Sequence, residues 1–327
     1  MTARTVSGLA IAFLLVGTVC STDARAVETY TNPVIDEIGL ADPTVVRFGG
    51  TYYLYPTGDN TSYHVYTSID LVHWTKGKKV FEPGGRNVWA PDVFRDPTDG
   101  TFHLYYTADK RIGVAVADRP DGPFADRATL FRNAIDAHMF RDDDGTYYLY
   151  YVQLPGFEIH VQRMKTPLEK EGEAIKLIWP TEPWETIRGA VTEGPWMLKH
   201  DGTYYLLYSG TGASSLDYAI GYATATSPTG PFAKYSGNPI VKRGNGALGP
   251  GHGCVVKDAA NNLWSVYHQQ KDGSRPWSRF ICIDPLWFDE NGVLHGKATR
   301  GTPEPAPVVA GSNDDPSAKQ PDAADGR

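Results

Sequence analysis

A chain of 327 residues has room for one large domain or two modest ones, and a hydrophobic share of 41% supplies a packed core. With 31 Lys and Arg against 38 Asp and Glu, the formal charge is −7 and no basic cluster breaks the acidic balance. That excludes nucleic acid as a partner. The 19 Tyr and 8 Trp offer flat apolar faces of the kind sugars need, but all-β cores use them too.

At the N-terminus, Arg4, the apolar run Leu9 to Val19 and Ala24-Arg25-Ala26 follow the charged, apolar and small-x-small order of a secretory signal peptide. Cleavage is expected after Ala26. The run is too short to anchor the chain in a bilayer, and Val19 is bulky for the position before a lipidated Cys20. The expectation is a secreted domain over residues 27–300 with no membrane span, followed by a disordered tail over 301–327, where five Pro and no aromatic residue leave little to bury.

Between these ends one pattern recurs: Gly50-Thr51-Tyr52-Tyr53-Leu54-Tyr55, Gly100-Thr101-Phe102-His103-Leu104-Tyr105, Gly145-Thr146-Tyr147-Tyr148-Leu149-Tyr150 and Gly202-Thr203-Tyr204-Tyr205-Leu206-Leu207-Tyr208. Asn262-Leu263-Trp264-Ser265-Val266-Tyr267-His268 is a fifth, weaker copy. Each copy is entered through a turn rich in Gly and Asp and preceded by a short strand, so each reads as a hairpin. Further strand candidates follow, such as Ile112–Ala117 and Ala219–Ala225, and no stretch keeps a helical period. Five units of about four antiparallel strands predict an all-β, five-bladed β-propeller in a single domain. Cys254 and Cys282 then fall on the first and third strands of one blade, about 10 Å apart by strand spacing, and are expected as buried free thiols.

The first strand of each blade lines the channel, so the residues entering those strands meet at one mouth. Nine or ten positions before the Thr, or its equivalent, of each aromatic motif stand Asp42, Asp92, Asp136, Glu193 and His252. A single Asp before a strand is ordinarily a turn residue, but five ionisable groups in one confined place point to function. Glycoside hydrolysis needs one carboxylic acid and one carboxylate in different protonation states, and a third carboxylate beside the acid raises its pKa.

At Ala41-Asp42-Pro43, Trp89-Ala90-Pro91-Asp92, Ile135-Asp136, Thr192-Glu193-Gly194-Pro195, Gly251-His252-Gly253 and Ile283-Asp284-Pro285-Leu286 the chain resembles glycoside hydrolase family 43 over roughly residues 30–297. The resemblance implies an inverting mechanism with Asp42 as general base, Glu193 as general acid and Asp136 tuning the acid. It implies no required cofactor, although His252 matches a channel histidine that holds a calcium ion or a water cluster in many members. Trp89, Asp92, His138, Trp196 and Arg279 are the candidate substrate-binding residues, with Arg275 close enough in sequence to compete with Arg279. Ala137 stands where the family usually has Pro. The expected activity is exo-acting release of α-L-arabinofuranose or β-D-xylose from polysaccharide or oligosaccharide. A β-D-galactofuranosidase, an endo-arabinanase and a non-catalytic glycan-binding propeller are the alternatives, and the differing entrance residues favour one catalytic centre over a repeated binding site.

Overall fold

The computed structural model describes Met1 and residues 28–309, so the expected signal peptide and residues 310–327 lie outside the described residues. Every copy of the aromatic repeat forms the second strand of an antiparallel sheet, and five such sheets make a five-bladed β-propeller. After a short β1 (Thr29–Tyr30), blade one comprises β2 (Ala41–Phe48), β3 (Thr51–Thr57), β4 (Tyr63–Ser68) and β5 (Thr75–Phe81). Blade two is β6 (Trp89–Arg95), β7 (Phe102–Ala108), β8 (Arg111–Ala117) and β9 (Ala125–Arg132). Blade three is β10 (Ala134–Arg141), β11 (Tyr147–Gln153), β12 (Glu158–Thr166) and β13 (Glu169–Lys170), with β14 (Ile175–Ile178) also on β12. Blade four is β15 (Thr192–His200), β16 (Thr203–Gly210), β17 (Ala219–Ala225) and β18 (Ala233–Lys234). Blade five is β19 (Gly251–Lys257), β20 (Leu263–Gln270), β21 (Arg279–Phe288) and β22 (Leu294–Gly296), and β23 (Glu304–Pro305) ends the series.

The repeat exists because second strands are covered on both faces by neighbouring blades. Phe102–Ala108 is buried throughout, so its sequence is a continuous run of large side chains rather than an alternation. The last Tyr of each motif is fully buried, and its hydroxyl must find a partner. Tyr55, Tyr105 and Tyr150 find it in the next blade, donating to the carbonyls of Pro120, Pro167 and Pro228. The repeat therefore encodes the joint between blades as well as the strand.

Among the described residues no blade exchanges a strand between the chain ends to close the ring. Instead β1 pairs with β23, Ile35 bridges Ile281, and the buried Asp284 gathers both ends. Its carboxylate accepts from Tyr267 (2.6 Å), Thr299 Oγ1 (2.7 Å), Asn32 Nδ2 (3.0 Å) and Tyr30 (3.2 Å). This corrects the expected tail: residues 301–309 are ordered. Ala306 N–H donates to the Glu28 carbonyl (2.9 Å) and Val308 N–H to Asp258 Oδ2 (3.0 Å), so backbone pairing orders a segment with few apolar side chains. Cys254 and Cys282 are buried free thiols with β20 between them, as the strand count predicts.

Candidate active site

At the entrance of every first strand the ladder with the second strand gains one extra residue. The slips fall between Ala41 and Thr44, Trp89 and Asp92, Ile135 and His138, Glu193 and Trp196, and Gly251 and Cys254. These are β-bulges, which re-aim side chains at strand ends. Within them Asp42, Ala90, Asp136, Gly194 and His252 have φ of 47°, 41°, 58°, 59° and 42°. Only glycine takes that conformation without cost, so the other four are strained positions of the kind found at functional sites. Gly194 is also required by space, since a Cβ there would meet the His252 ring at 2.9 Å.

The bulges correct the expected register. Asp42, Asp136 and His252 occupy one position, Glu193 lies one residue before it, and Asp92 lies two residues beyond Ala90. Counting back from the aromatic motif misplaces Asp92 because the hairpin turns differ in length: Phe48 pairs with Thr51, but Arg95 pairs with Phe102. Asp92 consequently points beneath the mouth. It accepts from Thr44 Oγ1 (3.1 Å) and Met139 N–H (2.8 Å), tying blades one, two and three together. His138 and Trp196 stack on each other there with ring centroids 4.1 Å apart. Asp92, His138 and Trp196, expected at the sugar, thus line a small chamber under the floor, whereas Trp89 and Arg279 line the mouth itself.

The mouth is a cavity of about 970 Å³ to which all five blades contribute, with Asp42, Asp136, Glu193 and His252 at its base. Asp42 Oδ2 accepts from Thr57 Oγ1 at 2.8 Å, and Oδ1 lies 3.3 Å from Arg279 Nη1. Asp42 N–H donates to His268 Nδ1 at 3.2 Å. Burial depresses the pKa of both His252 and His268, the latter to about 4, so both rings are neutral at pH 7. Burial, the largest single influence, would raise Asp42, but the Arg279 guanidinium and the polar groups of His252 and His268 beside it together outweigh burial and hold the carboxyl well below the usual range. Asp42 is therefore ionised.

Its neighbours behave oppositely. Glu193 is pushed up to about 7 by burial, against the Tyr218 hydroxyl that donates to Oε1 at 2.8 Å and with the help of the Asp42 charge. Asp136 is raised well above the carboxylate range by burial, then by Glu193 and Asp42, while Gly194 N–H donates to its Oδ2 at 3.1 Å. Asp136 and Glu193 hold a proton between them at neutral pH, beside the ionised Asp42. The arrangement can protonate a leaving oxygen and accept a proton from water in one cavity.

Thr57, Tyr218 and His268 escape sequence reasoning. Tyr218 lies in a loop outside the repeat, and His268 is visible only as the residue after the last motif tyrosine.

A calcium ion takes six to eight oxygen ligands, so one near His252 would draw most of them from water. Both oxygens of Asp92 and both of Asp42 already face protein donors. Among the described residues no group of three or more His, Cys, Asp or Glu is arranged to hold a metal.

Known proteins share this architecture. The family model for glycosyl hydrolases family 43 matches residues 30–294. A β-D-galactofuranosidase of Aspergillus niger is 31% identical over 288 residues, covering 78% of this chain and 81% of that protein. A xylosidase/arabinosidase of Bacteroides ovatus is 27% identical over 319 residues, covering 78% of this chain and 94% of that protein. The crystal structure of a thermostable family-43 glycoside hydrolase superposes with a TM-score of 0.81 at 36% identity, over 86% of this chain and 100% of that one. The match runs from the first residues of the propeller into its last blade, and on that ground the chain belongs to glycosyl hydrolases family 43 and is a glycoside hydrolase.

Proposed function

We propose that the enzyme is an inverting exo-glycosidase that releases terminal α-L-arabinofuranosyl or β-D-xylosyl residues from plant-type polysaccharides or oligosaccharides. The observation that carries this reading is the opposition of protonation states in one cavity: Asp42 ionised by Arg279, with Glu193 and Asp136 holding a proton. In that scheme Glu193 gives its proton to the glycosidic oxygen as the bond to the anomeric carbon breaks. Asp42 takes a proton from the water whose oxygen forms the new bond on the opposite face. Burial and the Asp42 charge keep the acid's pKa high, and Asp136 shares the proton of the carboxyl pair and orients the acid. Exchange with solvent then returns Glu193 to its acid form and Asp42 to its base form. Trp89, fixed by its Nε1–H bond to Asn60 Oδ1 at 2.9 Å, offers an apolar wall for the sugar ring.

The sugar has a second reading in β-D-galactofuranose, favoured by the Aspergillus niger relative, 31% identical and matched over 81% of its length. Aryl arabinofuranosides, xylosides and galactofuranosides assayed side by side separate the two. Glu193→Gln should abolish turnover of unactivated substrates while sugar binding stays measurable, and full activity in that variant would refute the assignment. Proton NMR of the first-formed product should show the inverted anomer; a retained one rules out inversion. Residues 1–26 support export, and N-terminal sequencing of the exported protein should begin at Val27.

A further inference from the structure

At four of the five bulges the strained residue turns its N–H to a side chain of the preceding blade. Ala90 donates to Thr57 Oγ1 (2.8 Å), Asp136 to Thr107 Oγ1 (3.1 Å), His252 to Ser209 Oγ (2.8 Å) and Asp42 to His268 Nδ1 (3.2 Å). The four acceptors share one register, each paired with the last residue before a bulge: Thr57 with Ala41, Thr107 with Trp89, Ser209 with Glu193 and His268 with Gly251. In blade three that register, opposite Ile135, holds Val152, which is fully buried and has no acceptor to offer. The Gly194 N–H of blade four turns instead to Asp136 Oδ2 at 3.1 Å.

We propose that Val152 is a positioning residue for the reaction: it withholds a side-chain acceptor from Gly194 and so commits that N–H to the Asp136 carboxylate. A buried N–H must be paired. Without a hydroxyl in reach, its pairing orients Asp136 beside Glu193. Among the described residues this is the only hydrogen bond the Asp136 carboxylate accepts. The other groups facing it are Glu193 on β15, Asp42 on β2 and His252 Nδ1 on β19 at 3.9 Å, while the hydroxyls of Tyr63 and Tyr218 feel its charge and Arg279 is engaged with Asp42. None of these can replace the fixed backbone donor. The inference rests on the reading of Glu193 as acid and Asp136 as its tuner.

Val152→Thr installs the acceptor that the other blades carry, Val152→Ser does so with less bulk, and Val152→Ala removes methyl groups without adding an acceptor. Each is assayed on phenyl and 2,4-dinitrophenyl glycosides of the sugar the wild type cleaves, since only the poorer leaving group needs the acid. Val152→Thr or Val152→Ser should lower kcat on the phenyl substrate roughly tenfold with KM unchanged and leave the dinitrophenyl substrate near wild type, a smaller loss than removal of the general acid itself, as suits a residue that only positions it. Val152→Ala should keep the wild-type ratio between the two substrates. A wild-type ratio in both hydroxyl variants, or the same change in Val152→Ala, overturns the proposal. Glu193→Gln on the same pair separates the two failures. If it loses the phenyl substrate selectively while the hydroxyl variants do not, only the role of Val152 falls; if it shows no selectivity, the acid assignment falls and takes that role with it.

Discussion

Arg279 places Nη1 3.3 Å from Asp42 Oδ1, a buried ion pair that joins blade five to the entrance of blade one. Because this cation holds Asp42 ionised, Arg279→Met should raise the Asp42 pKa. In the proposed mechanism Asp42 works ionised, so activity is lost as pH falls through that pKa. The acid limb of kcat/KM should move upward, with a larger loss at pH 5 than at pH 7. Leaving a buried carboxylate unpaired should also cost about 3 kcal/mol in stability at pH 7. Arg279→Lys, which keeps the charge, should recover part of both effects. An unmoved acid limb in Arg279→Met would show that another group ionises the base.

Glu193, pushed up to about 7, gives the opposite sign. In the proposed mechanism its proton goes to the leaving oxygen, so the alkaline limb should fall as pH rises through about 7. The unfolded chain loses this proton near 4.5, whereas the folded protein keeps it to about 7, so folding stability declines across that window. Glu193→Gln removes the burden and retains an oxygen for the Tyr218 hydroxyl. It should be more stable than wild type at pH 8, by ~2 kcal/mol, with little difference at pH 5. Thermal melts at the two pH values decide this, and an equal gain at both would contradict the buried-charge account.

Gly251 allows the acid's hydrogen-bond partner to be where it is. A Cβ at this position would fall 2.1 Å from Tyr218 Cδ1, in the middle of the packed ring. Gly251→Ala should destabilise the protein by about 2 kcal/mol through overpacking and push the Tyr218 hydroxyl off Glu193. Since that hydroxyl lowers the Glu193 pKa, its displacement should shift the alkaline limb upward. Tyr218→Phe should give the same shift without the packing penalty. A calorimetric scan and a pH–rate profile of each variant measure the two effects separately.

The number of blades and the strands within them were legible because Gly turns followed by aromatic runs mark each hairpin, a local signal that needs no tertiary knowledge. The entrance register was less so. Hairpin turns of unequal length shift the count, which is why Asp92 read as a mouth residue and is a buried tie between blades. Asp42, Asp136 and Glu193 were legible, but not the bulge strain that aims them or the Gly194 N–H that holds Asp136. Tyr218 and Val152 carry no local signal: one lies in a loop, and the other is a valine in an apolar strand whose meaning comes only from comparison with Thr57, Thr107 and Ser209. The order of residues 301–309 was hidden for a related reason, since its partners are Glu28 and Asp258, distant in sequence.

The seam between blades five and one carries a consequence for the newly made chain. Once four blades have emerged, Glu193 and Asp136 can already lie side by side. Asp42, though synthesised first, still lacks both His268 and Arg279, which arrive last. The residue proposed to activate water is thus the earliest of the three acids translated and the last to gain its partners. The contacts of Asp284 with Asn32 and Thr299 that draw the two ends together therefore also complete the surroundings of Asp42.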